Sequence, residues 1–282
     1  MQFIETAVSE AFAGEVGLPP AEMNLARACL LFACADYPHL DCDWYLGQLD
    51  LIAHDISAQP PGASDIGARL SALNEYLFED LGYSGNLDDY YDPRNSYLNE
   101  VIDRRLGIPI TLSIVYLELA ERLGIRAHGI SFPGHFLIAV AARNGEFIVD
   151  AFDGGTFLER ATFVARLREH VVPDTSLEVL EATLRTASKA EILVRQLRNL
   201  KAVYFDRGDS MKTLNVLNHL LTIDGDLLPE LVDRAALYES IGYSRGAVND
   251  YERALAQLSP GVERSDIVGR LRRVNAQTQH LH

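Results

Sequence analysis

One stretch constrains the fold more than any other: NSYLNEVIDRRLGIPITLSIVYLELAERLG, from Asn95 to Gly124. Its second half is apolar on nearly every side. Leu112, Val115, Leu119 and Leu123 recur at helical spacing, and Ile110, Ile114 and Leu117 form a second stripe beside them. A helix apolar all round is enclosed by a domain rather than laid on its surface. Pro109 suits a first turn, where its missing N–H costs nothing, and Gly124 suits the left-handed position that ends a helix. Glu118, Glu121 and Arg122 come only in the last two turns, where the helix is expected to emerge into solvent.

The rest of the chain can build a core around such a helix. Of 282 residues, 48% are hydrophobic, which argues against global disorder. The longest apolar runs, CLLFACA and ITLSIVYL, fall far short of the roughly 20 residues that span a bilayer. The start, MQFIETAVSEAF, lacks the basic residues and apolar run of a signal peptide. A cytoplasmic location with no membrane partner is the expectation. Cys29, Cys34 and Cys42 sit on predicted helix without CxxC spacing, and read as buried small hydrophobes.

The formal charge of −15 is unevenly placed. Residues 190–282 carry 12 basic and 12 acidic side chains, so the excess lies in 1–189, with 13 basic against 28 acidic. Nucleic-acid binding needs the opposite sign to release counterions, so no direct nucleic-acid contact is expected. The acidic body favours a basic partner. Arg264, Arg270, Arg272 and Arg273 lie close together and read as a solvated helix face.

In chain order, AEMNLARACLLFACADY, DWYLGQLDLIAHDISA and IGARLSALNEYLFEDLG each show an apolar helical face, and Pro38 and QPPGASD separate them. YSGNLDDYYDPRNSY, rich in turn formers and tyrosine, is a loop of the length that is often functional. After the central helix the period changes. RAHGISF, HFLIAVAA and EFIVDAF are short apolar runs parted by PG and RNG, which predicts three strands with a hairpin at Asn144-Gly145. A helix followed by antiparallel strands is α+β order. The tail repeats at 34 residues: Ala202, Tyr204, Gly208, Leu214, Leu217 and Leu221 match Ala236, Tyr238, Gly242, Val248, Tyr251 and Leu255. That is the period of tetratricopeptide repeats, helical pairs that stack into peptide-binding surfaces.

Two residues stand out for chemistry. His135 opens one predicted strand after Pro133-Gly134, and Asp150 closes the next. A hairpin brings them side by side, and a carboxylate beside an imidazole fixes its tautomer and stabilises its cation. On spacing alone, structural pairing and catalysis both fit.

GIPITLSIVYLELAERLGIRAHGISFPGHFLIAV with FIVDAFDGG resembles the transglutaminase-like core domain. With Asn95, the Gly107-Ile108-Pro109 turn and the RQLRNLKAVY run, it resembles in particular the bacterial family known as regulators of sirC expression (SirB-type). That family joins the core to tetratricopeptide repeats, and a related segment occurs in a human F-box protein. The resemblance implies a helical part at 1–85, a transglutaminase-like (papain-like) core at 86–188 with its buried helix packed on a small antiparallel sheet, and helical repeats at 189–282. In the superfamily a cysteine at the N-terminus of the central helix attacks an acyl group, where a helix end favours thiolate. His135 and Asp150 match its two partners, but no cysteine follows Cys42. Thr111 and Ser113 are the nearest hydroxyls, and they are candidates only if the site is rebuilt around them.

The expectation is therefore a non-catalytic, regulatory descendant that binds a protein or peptide. Asn95, Ser96, Pro109 and Gly134 would shape its cleft, and Tyr204 and Tyr238 would serve its repeats. The alternative is a hydrolase or acyltransferase using Ser113 or Thr111 with His135 and Asp150. No cofactor and no metal is expected. His128 and His135 with Asp150 or Asp153 would be only a sparse ligand set.

Overall fold

The computed structural model describes residues 2–58, 65–132, 135–143, 145–158 and 186–279. The chain divides into two compact units, Met1–Gln196 and Leu197–His282. The segments expected as separate, 1–85 and 86–188, thus lie within one unit, and they share a core. Helices α1 (Gln2–Val16), α2 (Leu25–Ala33), α3 (Cys42–Ala58) and α4 (Ile66–Asn74) come first. After a short helix, α5 (Leu98–Arg104), comes the central helix, α6 (Pro109–Arg122). Both α2 and α3 pack directly on α6.

Ile110, Leu112, Ile114, Val115 and Leu119 of α6 are buried, each worth about 1.5–3 kcal/mol relative to exposure. Pro109 is also buried and takes the first helical position, and Gly124 follows the helix at φ 66°. The emergence of α6 at Glu118 does not occur. Glu118 is 4% exposed, and its Oε1 accepts the Ala26 amide at 3.1 Å, in the first turn of α2. A carboxylate there meets the positive end of the α2 dipole. Its Oε2 is held by Arg122 at 2.6 Å, and Arg122 also holds Asp50. Spacing alone made Glu118 a surface charge, because the Ala26 amide that it accepts comes from another helix.

The third predicted helix also departs from expectation. Regular winding ends at Asn74, and Glu75–Asp80 form a π turn. Asn74 Nδ2 donates to Gly155 O at 2.6 Å, tying this turn to the loop beyond Asp150. Such wider turns often sit beside functional sites.

A five-stranded antiparallel sheet covers α6. It comprises β3 (Ala127–Phe132), β4 (His135–Ala142), β5 (Gly145–Asp150), β6 (Thr156–Leu158) and β7 (Thr186–Ala187), in the order β6-β5-β4-β3-β7. Both β3 and β4 pack on α6. Ile138, Ala139 and Val140 at the middle of β4 are fully buried, as a central strand covered on both faces requires. In the expected β4–β5 hairpin Ala142 faces Gly145, while Asn144 lies outside the described residues. Separately, β1 (Ser84–Gly85) pairs in parallel with β2 (Leu106–Gly107) just ahead of α6.

Among the described residues five helices follow: α7 (Lys189–Asp206), α8 (Ser210–Ile223), α9 (Leu228–Ser240), α10 (Ser244–Gln257) and α11 (Val262–Gln279). In the second unit the 34-residue period is a repeated piece of geometry. Gly208 (φ 69°) and Gly242 (φ 77°) end α7 and α9. The next amides, of Asp209 and Tyr243, donate to Tyr204 O and Tyr238 O at 3.0 and 2.8 Å. Both turns have the bonding of a helix ended by a left-handed glycine. Leu231, Ala235, Ala247, Tyr251, Ala254, Ile267 and Val274 form the apolar core of α9 to α11.

Candidate functional site

Strand register builds the site. Ile138 faces Val149, so Asp150 lies just past the paired segment, opposite Leu137, and His135 shares the face of Leu137 because side chains alternate. The imidazole Nε2 and Asp150 Oδ2 are 2.8 Å apart. Asp150 is 1% exposed, and its other oxygen accepts the amides of Phe152 and Asp153 at 3.1 and 3.3 Å. The turn that supplies those amides needs Gly154 and Gly155, both at positive φ. A carboxylate held this way orients the imidazole. His135 keeps about a fifth of its side-chain surface open, so one edge of the dyad reaches solvent.

Phe152 links this dyad to the start of α6. Its ring lies 6.2 Å from the His135 ring, edge to face, and 6.1 Å from Tyr90. It also covers Gly85 so closely that a Cβ there would overlap it, and Gly85 is paired with Gly107, two residues before Pro109. The 83–97 loop is ordered by buried polar side chains. Asn95, 0% exposed, donates to Asp89 O and Tyr90 O at 2.8 and 3.2 Å and accepts from Asn86 at 3.0 Å. Asn95 is thus the brace that places Tyr90 beside Phe152. Ser96 contributes its carbonyl, which accepts from Gln196 at 2.7 Å. Gly134 lies outside the described residues.

The turn where the superfamily carries its thiol holds Pro109, Ile110 and Thr111. Ile108, at the N-cap, has no polar side chain, so Thr111 does the capping. Its Oγ1 accepts the Ile108 amide at 3.1 Å and donates to Asn95 O at 2.8 Å, with Ile108 O a second acceptor at 3.2 Å. A hydroxyl has one proton, and this one is already given to a buried carbonyl. Ser113 is 0% exposed and its Oγ has no hydrogen-bond partner among the described residues. Cys29 is sealed as well: burial pushes its thiol up, and its Sγ donates to Gln196 at 3.0 Å.

Cys34 and Cys42 differ from the sequence expectation. Both are half-exposed and their sulfurs lie 3.6 Å apart. The bond from Cys42 pulls the Cys34 thiol down and pushes that of Cys42 up.

Three residues of the site carry no sequence expectation: Phe152, Tyr90 and Arg195. Arg195 donates to Ser131 Oγ at 3.1 Å and to the carbonyl of His135, and its guanidinium lies 5.4 Å from the Phe136 ring. Burial draws its basicity down. The signal was available, since Arg195 opens the RQLRNLKAVY run and Phe152 sits in FIVDAFDGG, but only folding brings them to one imidazole. Of the tail residues, Tyr204 is 3% exposed, beneath the Lys212 ammonium at 5.1 Å. Tyr238 is half-buried between Tyr243 and Arg234. Among the described residues no three His, Cys, Asp or Glu side chains are grouped to hold a metal, and no helix is long and apolar enough to cross a membrane. His128 faces Glu146 at 3.9 Å.

A buried helix packed on an antiparallel sheet, with a His–Asp pair on adjacent strands, is the arrangement of a transglutaminase-like domain. The model of the transglutaminase-like superfamily matches residues 43–198. The chain belongs to that superfamily and, within it, to the family of the UPF0162 proteins. It is 39% identical to a UPF0162 protein of Xylella fastidiosa over 249 residues, 87% of this chain and 88% of that one. A UPF0162 protein of Vibrio cholerae is 26% identical over 230 residues, 82% of this chain and 84% of that one. F-box only protein 21 of Homo sapiens is 39% identical over 84 residues, which cover 30% of this chain and 13% of that protein.

Proposed function

We propose that this chain is a non-catalytic transglutaminase-like protein that binds a protein or peptide partner and acts by regulating it. The observation that carries this reading is the contrast at the two ends of the superfamily's triad. The His135–Asp150 pair is kept at 2.8 Å, while the start of α6 offers no nucleophile. Thr111 has given its proton to Asn95 O, and Ser113 and Cys29 are shut away from solvent. A nucleophile must stand within reach of both base and substrate. The aromatic wall of Tyr90 and Phe152 beside an open imidazole edge suits a peptide segment. Support for the tail as a second docking surface comes from its 34-residue recurrence, which fits tetratricopeptide-like pairing. The acidic first 189 residues favour a basic partner over nucleic acid.

The kept dyad also supports the alternative, acyl transfer from Thr111 or Ser113. Both readings meet one test: hydrolysis of activated acyl esters by the wild-type chain and by His135→Ala. Equal background rates are expected, whereas a His135-dependent turnover that disappears in Thr111→Val or Ser113→Ala would establish the enzyme. Quantitative capture from lysate by wild type, His135→Ala and Tyr238→Ala tests the binding surfaces. Identical partner lists from all three would sink them.

A further inference from the structure

A second recognition site lies in the helical part, built from elements other than those of the dyad. The segment between α2 and α3 walls a cavity of about 520 Å³, with Asp36, Tyr37, Asp41, Trp44, Tyr45 and Asn99 among its lining residues. Trp44 and Tyr45 meet at 88° with ring centroids 4.8 Å apart, forming an aromatic corner. The Tyr45 hydroxyl is held by Asp103 at 2.6 Å, and Asp41 accepts the Trp44 amide at 3.1 Å, so the corner is fixed in place. The segment is closed at its base, where Cys34 and Cys42 touch through their sulfurs. Asn99, on α5, is 3% exposed, and its Oδ1, itself closed off from solvent, accepts no hydrogen bond among the described residues. A buried acceptor left open costs about 1–3 kcal/mol, and a site that keeps one beside a cavity has a use for a donor.

We propose that this cavity binds the guanidinium of an arginine side chain presented by a basic peptide. Three features choose that occupant. Aromatic faces attract a cation, and a planar guanidinium stacks on them better than an ammonium does. The carboxylates of Asp36 and Asp41 supply the opposite charge at the rim, within a region holding 28 acidic against 13 basic residues. The fork of five N–H groups can engage a rim carboxylate and, once the Asn99 side chain turns toward the cavity, its unpaired oxygen as well.

Trp44 is the chain's only tryptophan and is 52% exposed, so in the folded chain its emission reports on binding at this cavity. The test titrates the full chain with the tripeptide acetyl-Gly-Arg-Gly-amide and with its citrulline and lysine counterparts. A saturable change in Trp44 emission is expected for arginine. The uncharged citrulline peptide should bind at least about tenfold more weakly, the scale of hydrogen bonds to a charged group. Added salt should weaken the arginine complex. Asn99→Ala should cost a similar factor by calorimetry. If that variant does not fold, Trp44→Ala at its exposed position carries the same decision. Three results overturn the proposal: no saturation up to about 10 mM, citrulline or lysine binding as tightly as arginine, or affinity unchanged by both substitutions.

Discussion

Two hydroxyls near the start of α6 should respond to removal with opposite signs. Thr111→Val keeps the shape and deletes the Oγ1–H. The Ile108 amide and the Asn95 carbonyl then lose their partner, and both residues are buried, at 4% and 0% exposure. Each hydrogen bond is worth about 1 kcal/mol net, and stranding a buried group costs about 1–3 kcal/mol more. The Asn95 carbonyl and the helix cap overlap in these costs, so a loss of about 2–4 kcal/mol is expected. Ser113→Ala deletes a hydroxyl that has no partner among the described residues and is closed off from solvent. Relief of that desolvated group, with the better helix propensity of alanine, should raise stability by about 0.5–1.5 kcal/mol. Urea unfolding followed by Trp44 emission reads both, since Trp44 lies in the same unit as α6. With a slope of about 1–3 kcal/mol per molar, the two midpoints should separate by about 1 M or more. A Thr111→Val variant within about 0.5 kcal/mol of wild type would refute the capping role. A Ser113→Ala variant as damaged as Thr111→Val would mean that Ser113 has a buried partner, reopening it as a functional group.

Three further outcomes follow from the same contacts. Mild alkylation of the native chain should modify the Cys34–Cys42 pair first and Cys29 only after unfolding, because Cys29 is sealed and burial pushes its thiol up; peptide mapping showing Cys29 labelled early would contradict its burial. Gly85→Ala should push Phe152 off its seat, costing about 1–3 kcal/mol by overpacking and moving the His135 ring resonances in NMR; an unshifted imidazole would break the proposed bridge between α6 and the dyad. In the tail, burial raises Glu230, but the bonds and charges of Arg198 and Lys201 outweigh it and hold its carboxyl below the usual range. A depressed folded pKa gives stability that is present above the unfolded value, about 4.3, and lost as pH falls through the folded one. Tail helicity should therefore weaken on acidification below about pH 4, and Glu230→Gln, which lacks that proton, should flatten this part of the pH profile.

The recurrence of apolar residues is enough to place α6, β3, β4 and β5, because period and burial are coupled for local elements. The His135–Asp150 pair is legible for the same reason: a hairpin of known register turns sequence spacing into distance. The 34-residue recurrence likewise appears as two matching glycine turns, at Gly208 and Gly242. Residues that act through distant partners are not legible. Glu118 has the sequence neighbourhood of a surface charge, yet its carboxylate is spent on the α2 amide 92 positions away. Cys34 and Cys42 read as core because no local rule shows that the turn between α2 and α3 brings their sulfurs together at the surface.

The sequence by itself settled the class of fold, the missing cysteine and the surviving histidine and aspartate, since all three are matters of residue identity and local period. Tertiary structure decided what stands in the cysteine's place. It gave the Thr111 proton to Asn95, closed Ser113 into the core, and set Phe152, Tyr90 and Arg195 around the imidazole. Whether a hydroxyl is a nucleophile or a brace depends on where its one proton points, and for Thr111 that direction is set by a carbonyl 16 residues away in the chain.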